Sequence, residues 1–143
     1  MRMKFGFFVV ALLLAQMSWA QYAVTVDVKG LRNTKGTLYF TLFRSETGFP
    51  DKAEKAFKRG KLETLKSSTA SYIFNNIPAG TYAVSLLHDE DGDGDMKTNT
   101  LGIPLEGSGA SNDARGRFGP PKFADAKFTV SADKRISITM WYF

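Results

Sequence analysis

The sequence contains no cysteine and only one histidine among its 143 residues. Without cysteine the chain forms no disulfide bond, offers no thiolate to a metal, and is not a lipoprotein anchored through a modified N-terminal cysteine. The single histidine, His88, has no second imidazole or thiol with which to complete a transition-metal site. The stability of a domain without disulfide bonds depends on side-chain packing, or on another stabilising element such as a bound hard cation.

Long apolar runs are also scarce, and the longest lies at the beginning of the chain. Residues 5–15 read FGFFVVALLLA, after the basic residues Arg2 and Lys4 and before a Ser-Trp-Ala sequence ending at Ala20. This run is too short for a bilayer-spanning helix, which needs about 20 residues. The layout is typical of a secretory signal peptide cut after Ala20. We therefore expect a signal peptide at residues 1–20 and an exported domain at residues 21–143, in the periplasm or outside the cell.

Charge of one sign is not in large excess once the signal peptide is set aside. Residues 21–143 carry 17 basic and 14 acidic side chains, a net charge of +3. Nucleic acid is not an expected partner of an exported protein with so small an excess. The mature length is enough for one hydrophobic core, so we expect a single monomeric domain without a transmembrane segment.

The mature sequence reads as β-structure. Alternation of apolar and polar residues is clearest in YAVTVDV, and TLYFTLF is rich in β-branched and aromatic types. About seven such segments are separated by turn residues: 22–28, 37–43, 61–66, 71–74, 81–88, 123–130 and 135–143. The pattern predicts an all-β fold, a single antiparallel β-sandwich of immunoglobulin-like or transthyretin-like type. Within residues 49–57, Ala53, Ala56 and Phe57 at helical spacing predict a short helical crossover.

One segment, residues 89–122, shows no clear strand or helix. It holds seven of the thirteen glycines and three of the five prolines of the chain. A connection this long inside a compact domain is usually functional or internally organised. The segment also carries apolar residues such as Leu101, Ile103 and Phe118, so we expect one long ordered loop.

The start of this loop has the spacing of a calcium-binding turn. Asp89, Asp91 and Asp93 occupy positions 1, 3 and 5 of a D-x-D-x-D-G run, and Gly94 at position 6 permits a sharp turn. Asp95 stands at position 7, where a backbone carbonyl is the usual ligand. Five crowded carboxylates repel one another, and a captured cation relieves that repulsion.

The second half of the loop departs from a helix–loop–helix calcium site. Lys97 stands at position 9 and Thr100 at position 12, where a glutamate is usual, and a strand leads into the loop. Asn99, Glu106 or Asp113 are candidates for the missing oxygen ligands. The predicted Ca²⁺ ligands are Asp89, Asp91, Asp93, Asp95 and Asn99. The alternative is an exposed acidic turn without a metal, and Mg²⁺ fits less well because it keeps more of its water.

The later part of the loop has polar residues suited to holding it in place. Arg115 and Arg117 have planar guanidinium groups that pair with carboxylates, and Asp113, Glu106 and the acidic turn are near in sequence. An anionic ligand is the alternative partner of these arginines. Together with Asn112, they are predicted to order the loop or to bind a partner.

The sequence also allows a catalytic interpretation. His88 directly precedes the acidic run and could act as a base, although a packed histidine is the more ordinary role. Ser111, His88 and Asp113 supply the residue types of a catalytic triad. A G-x-S-x-G motif around the serine is absent, which argues against this triad.

Two long motifs carry a resemblance to a known family. IPAGTYAVSLLHDEDGDGDMKTNTLGIP at residues 77–104 and GSGASNDARGRFGPPKFADAKFTV at residues 107–130, with GFPD at residues 48–51, resemble the bacterial DUF2141 proteins. The resemblance implies a sandwich similar to transthyretin-like and Cna-B-like domains, with a PxGxY turn before a core strand, and no established activity. Members of that family commonly carry Asn at the positions of Asp91 and Asp93, and Asp at the position of Lys97.

The expected function is that of a non-catalytic binding or accessory module of the bacterial envelope, with an envelope protein or a glycan as partner. One alternative is a small secreted hydrolase that uses the acidic loop and His88. A second alternative is a small outer-membrane β-barrel, because the chain ends in ISITMWYF with a terminal phenylalanine. The short strands argue against a barrel. In the tail, Trp141 and Phe143 are expected on one face of the last strand, and Ile136, Ile138, Met140 and Tyr142 on the other.

Overall fold

The computed structural model describes residues 19–143. The predicted signal peptide falls almost wholly on residues 1–18, which lie outside the described part of the chain. Within that part, no helix has the length and apolarity needed to cross a membrane.

The chain folds into two packed β-sheets. In chain order the strands are β1 Gln21–Lys29, β2 Thr37–Phe43, β3 Lys58–Leu62, β4 Thr69–Pro78, β5 Gly80–Asp89, β6 Gly107–Ala110, β7 Phe128–Val130 and β8 Lys134–Thr139. The first sheet has the order β4-β1-β8. The second sheet has the order β3-β2-β5-β6, with β7 also paired to β5. The all-β sandwich predicted from the sequence is confirmed.

The core lies between the sheets and follows the period-two pattern of the sequence. Val24, Val26 and Val28 of β1 point inward and are buried, as are Leu38 and Phe40 of β2. Successive side chains of a strand point to opposite faces, so each alternating strand places its apolar set against the other sheet. Burying such side chains is worth about 1.5–3 kcal/mol each before the cost of ordering the chain.

Several predicted strands differ from those in the structure. Strand β3 begins at Lys58 instead of Lys61, and β4 is longer than the predicted residues 71–74. The predicted strand at residues 123–130 is wrong, because helix α1, Phe123–Ala126, occupies its first half and only β7 is extended. β7 and β8 do not form a hairpin: β7 pairs with β5 in the second sheet, and β8 pairs parallel to β1 in the first.

A second, smaller cluster explains why α1 is helical. The face of the second sheet that points away from the first sheet, called the outer face below, is partly covered by residues 49–50 and α1. Ala83, Ala110, Ala114 and Ala126 pack there against Phe49 and Phe123. The ring of Phe49 packs edge to face against the ring of Phe43 and against the ring of Phe123. The helical period places Phe123 and Ala126 on this cluster together, which a strand would not do.

The predicted helical crossover is one turn of 3₁₀ helix at Ala53–Lys55. The preceding residues tie the crossover to the outer face, because the Ser85 hydroxyl donates a hydrogen bond to the Pro50 carbonyl at 2.7 Å. A second 3₁₀ turn, Ser111–Asp113, follows β6. There the buried Ser111 hydroxyl accepts from Val84 N and donates to the Ala126 carbonyl, which joins β5 to α1.

Candidate metal centre

The acidic loop, residues 89–106, connects the ends of two neighbouring strands. Strand β5 ends at Asp89, and β6 begins at Gly107, which pairs with His88. The next position along this antiparallel register brings Asp89 and Glu106 opposite each other. Strand alternation turns His88 toward the core and Asp89 toward the outer face. Two carboxylates therefore meet at the same end of the sheet.

Four carboxylates converge at this position. Asp89, Asp91, Asp93 and Glu106 each offer an oxygen atom, and these atoms lie within 4.8 Å of one another. Asp89 is fully buried and Glu106 is 4% exposed, whereas Asp91 and Asp93 face solvent. Carboxylate oxygens at this spacing can share one divalent cation, and hard cations prefer such ligands.

The two buried carboxylates accept hydrogen bonds from the backbone. Gly92 N and Gly94 N donate to the two oxygens of Asp89, at 2.9 and 2.8 Å. Glu90 N and Lys97 N donate to the two oxygens of Glu106, at 3.0 and 3.1 Å. These donors are neutral, and buried charges are normally paired or bound to a metal. The arrangement therefore concentrates negative charge without neutralising it.

Two glycines make this backbone path possible. Gly92 and Gly94 have φ values of +78° and +83°, in the region that disfavours residues with a side chain. Their N–H groups consequently turn back toward Asp89. Asp91 and Asp93 each accept a further hydrogen bond from the backbone two residues ahead, at Asp93 N and Asp95 N. The spacing in the sequence thus builds a tight turn with its donors facing inward.

One cation contacts the group from the solvent side. The Lys97 ammonium, 52% exposed, pairs with the Asp91 carboxylate. Hydrogen bonding to Lys97 is the main reason that the pKa of Asp91 falls to about 2, and in turn Asp91 raises the pKa of Lys97. Within residues 19–143, neither Asp89 nor Glu106 has an ion pair. From the sequence, Lys97 was considered only because it lacks the oxygen ligand usual at position 9 of the loop. Its pairing with Asp91 was not predicted.

Two of the predicted ligands, Asp95 and Asn99, are not among the four converging carboxylates. The side chain of Asp95 is not part of the converging group. The side-chain oxygen of Asn99 accepts hydrogen bonds from Leu101 N and Ile103 N and closes the tip of a small hairpin. Glu106, which the sequence indicated only as a candidate ligand, belongs to the group. Glu106 directly precedes β6, and this position would have placed it beside Asp89. The sequence did not predict β6 as a strand, so the position was not identified.

A neighbouring loop holds the acidic loop from the side. Glu90 accepts from Arg32 at 2.5 Å and from Asn33 at 2.6 Å, and Arg32 also donates to the Leu105 carbonyl at 3.1 Å. Burial raises the pKa of Glu90, but the hydrogen bonds from Arg32 and Asn33 outweigh burial and leave that pKa below its ordinary value. The β1–β2 connection thus clamps both ends of the acidic loop.

His88 is built into the core and faces away from the carboxylates. Its side chain is fully buried. Nε2 lies 2.8 Å from the Lys35 carbonyl, which can only accept, so Nε2 carries the proton. Nδ1 then accepts from the Tyr142 hydroxyl at 2.8 Å. Both ring nitrogens are thereby used by the protein.

The other two triad candidates are engaged elsewhere. Ser111 is bonded to β5 and α1, as described above. The Asp113 carboxylate accepts from Thr139 N at 2.7 Å, which ties the loop to β8. Among the hydrogen bonds of the described residues, none joins Ser111, His88 and Asp113 to one another.

The three residues predicted to order the loop or bind a partner lie outside the group of four carboxylates. Asn112, with φ of 59°, donates to the carbonyls of Asp125 and Lys127 at 3.1 and 2.9 Å. Arg115 lies over the Trp141 ring, with its guanidinium carbon 5.6 Å from the ring centre. Neither Arg115 nor Arg117 pairs with a carboxylate in the described part of the chain. Glu106 and Asp113 are already occupied by backbone donors.

A family model described as an uncharacterized protein conserved in bacteria (DUF2141) matches residues 26–139. The chain belongs to the DUF2141 family. The match covers the second half of β1 from Val26, all other strands and the whole acidic loop, and it confirms the resemblance seen in the sequence. No curated protein and no solved structure matches the chain.

The clamp on the acidic loop predicts a specific acid sensitivity. The pKa of Glu90 lies below its ordinary value of 4.5, so its stabilising contribution is fully present above pH 4.5 and is lost as the pH falls through the folded-state pKa. Arg32→Gln should lower the free energy of unfolding at neutral pH and lose less of it on acidification below pH 4.5 than the wild type. Urea unfolding across that range measures both quantities.

Arg59→Gln is the matched control, because Arg59 is exposed and forms no ion pair in the described part of the chain. The control should follow the wild-type pH profile. If Arg32→Gln also runs parallel to the wild type, the clamp does not contribute as described.

Proposed function

We propose that this DUF2141 protein is an exported, non-catalytic binding module of the bacterial envelope, and that a calcium ion orders its acidic loop. The observation that carries the calcium part is the buried pair Asp89 and Glu106, whose hydrogen-bond donors are all neutral backbone groups. Asp91 and Asp93 add two carboxylates at the solvent side. A divalent cation would neutralise this charge where water has been excluded.

The donor set favours calcium over other metals. Calcium takes six to eight oxygen ligands in flexible geometry, and the four carboxylates supply a large part of that number. Magnesium holds its water and needs near-octahedral geometry, and transition metals favour imidazole or thiolate ligands. The single histidine faces the core, and the chain has no cysteine. Water and the Asp95 carbonyl are the remaining ligands in this proposal.

Binding is favoured over hydrolysis by the position of the histidine. A hydrolase that used His88 beside the acidic loop would need an accessible ring nitrogen. Both nitrogens of His88 are hydrogen-bonded inside the core, and its side chain is fully buried. Export is supported by the signal-peptide pattern of residues 1–20.

A melting experiment tests the calcium proposal. We expect residues 21–143, which contain every strand of both sheets, to be more stable with calcium than with chelator. At a free calcium concentration of 100 times Kd, linkage adds about 2.7 kcal/mol to the free energy of unfolding. Magnesium should add much less. The double variant Asp89→Asn plus Asp93→Asn should lose the calcium response.

The matched control is Asp51→Asn plus Asp125→Asn, which removes two exposed carboxylates far from the acidic loop in sequence. This control should respond to calcium as the wild type does. Identical wild-type melts in calcium, magnesium and chelator would refute the metal site.

Lys97 provides a second, independent prediction. The Lys97 ammonium pairs with Asp91 and repels an incoming cation, so Lys97→Met should strengthen calcium binding severalfold. In chelator, the same variant should melt at a lower temperature than the wild type, because the carboxylates lose their counter-charge. Calorimetric titration with calcium measures the affinity.

Lys61→Met is the control for this experiment, since it removes another exposed lysine–carboxylate pair, Lys61–Glu63, outside the acidic loop. Calcium affinity should not change in that variant. An affinity for calcium that Lys97→Met leaves unchanged or weakens would contradict the proposed competition.

A further inference from the structure

Strand β4 lies at the end of the first sheet, where β1 is the one strand of the described residues that pairs with it. The phase of β1 fixes which backbone groups of β4 are used. The Lys29 carbonyl points away from β4, because it accepts from Met140 N, directly after β8, at 2.8 Å. Backbone groups of successive strand residues point to alternate sides, so those of Val28 and Val26 turn toward β4.

The register then assigns each residue of β4 to one side. Val26 lies opposite Tyr72, and directly opposed residues of an antiparallel pair exchange hydrogen bonds with both backbone groups or with neither. Tyr72 therefore uses its N–H and C=O on β1. Its neighbours Ser71 and Ile73 turn theirs outward, where no strand of the described residues pairs with them. We call the backbone of these two residues the open edge.

Side chains close both ends of the open edge. At one end, Thr69 N donates to the Ser67 hydroxyl, and that hydroxyl lies equally close to the Thr69 carbonyl, both at 3.2 Å. At the other end, the Lys58 ammonium donates to the Asn75 carbonyl. These contacts agree with the phase derived from β1, because Thr69 and Asn75 lie on the same side of the strand as the open edge. Two N–H donors and two carbonyl acceptors remain between them.

The open edge has the geometry that receives an extended peptide. Backbone donors and acceptors at alternate positions of an end strand are a template on which another strand adds. The space between the two sheets is closed here, because a β-carbon on Gly60 of β3 would lie only 2.1 Å from the Tyr72 ring. A partner strand would therefore pair with the edge and would not insert between the sheets.

The charge beside the open edge indicates the kind of peptide. Strand β4 contains no charged residue. Residues 58–66, which form β3 and most of the connection to β4, carry four basic side chains and one acidic side chain, a net charge of +3. Lys58, Arg59 and Lys66 form no ion pair within residues 19–143. Carboxylates on an incoming strand would be attracted to this side of the molecule.

The same charge disfavours a second copy of the chain as the occupant. Pairing two β4 edges about a two-fold axis would bring the basic residues of both copies together, and like charges at close distance repel. Successive side chains of an added strand point to opposite faces. One set would lie beside Ile73, whose side chain is 50% exposed, and the other set beside Lys58.

We propose that the open edge of β4 binds an extended acidic peptide segment by strand addition, with aliphatic side chains against Ile73 and carboxylates toward Lys58. The inference rests on the proposed function as a binding module, whose partner it names by chemical class. It does not depend on the metal.

Amide hydrogen exchange followed by NMR tests the edge and its occupant together. In residues 21–143 without peptide, the amides of Ser71 and Ile73 should exchange much faster than the amide of Tyr72. The probe is the heptapeptide Val-Glu-Val-Glu-Val-Glu-Val, acetylated and amidated at its ends. At ten times its Kd, exchange at Ser71 and Ile73 should slow about tenfold by mass action. The affinity should fall as the salt concentration is raised.

Two control peptides separate charge from backbone pairing. The heptapeptide with lysine in place of every glutamate should show no saturable binding over the same concentrations, because it meets a basic surface. The glutamate peptide methylated at every amide nitrogen keeps its charge but has no N–H to donate. It should also fail to bind.

Protein variants locate the interaction. Lys58→Gln should weaken binding of the glutamate peptide severalfold. Its matched control is Lys134→Gln on β8, an exposed lysine without an ion pair in the described part of the chain, and this variant should bind normally. Ile73→Pro removes an outward N–H that β1 does not use, so it should abolish binding. Melting curves show whether each variant is folded, and the Lys58→Gln comparison and control peptides test the inference without Ile73→Pro.

Four results would overturn the inference: no saturation with the glutamate peptide, equal binding of either control peptide, protection of amides other than those of the open edge, or protection of the open edge by self-association without peptide. Calcium-dependent melting without peptide binding would also overturn it and leave the proposed metal site standing. Peptide binding without any calcium effect on melting would support it and contradict the metal part of the proposed function.

Discussion

The structure depends on how two buried carboxylates are accommodated at the end of a β-sheet. Asp89 and Glu106 meet because β5 and β6 are antiparallel neighbours, and no cationic side chain pairs with either in the described part of the chain. Four backbone N–H groups satisfy their hydrogen bonds but not their charge. Burying these carboxylates without an ion pair is costly, and this cost supports the proposed cation site.

The side chains of strand β5 alternate between the core and the outer face of the second sheet. Its inward residues, including His88, build the core and fix the tail through Tyr142. Its outward residues lead from the covered Ser85 through the open Leu87 to the buried Asp89. The acidic loop that follows Asp89 is therefore the proposed metal site.

The sequence predicted those features that depend on local pattern. The alternation in residues 22–28 and the D-x-D-x-D-G spacing identified β1 and the turn at Asp89. Features that depend on pairing between distant segments were missed. The four-residue strand β6, Gly-Ser-Gly-Ala, has little strand propensity, and its pairing with β5 selects it. Without β6, Glu106 could not be placed beside Asp89, nor Trp141 beside Ser108.

The most direct test of the central claim is a crystal structure of residues 21–143 grown in calcium, with anomalous diffraction data to locate the ion. The account predicts one anomalous peak at about 2.3–2.6 Å from oxygens of Asp89 and Glu106, with Asp91 and Asp93 turned toward it and Lys97 released from Asp91. A loop without a peak, in which Lys97 still pairs with Asp91 in abundant calcium, would contradict it.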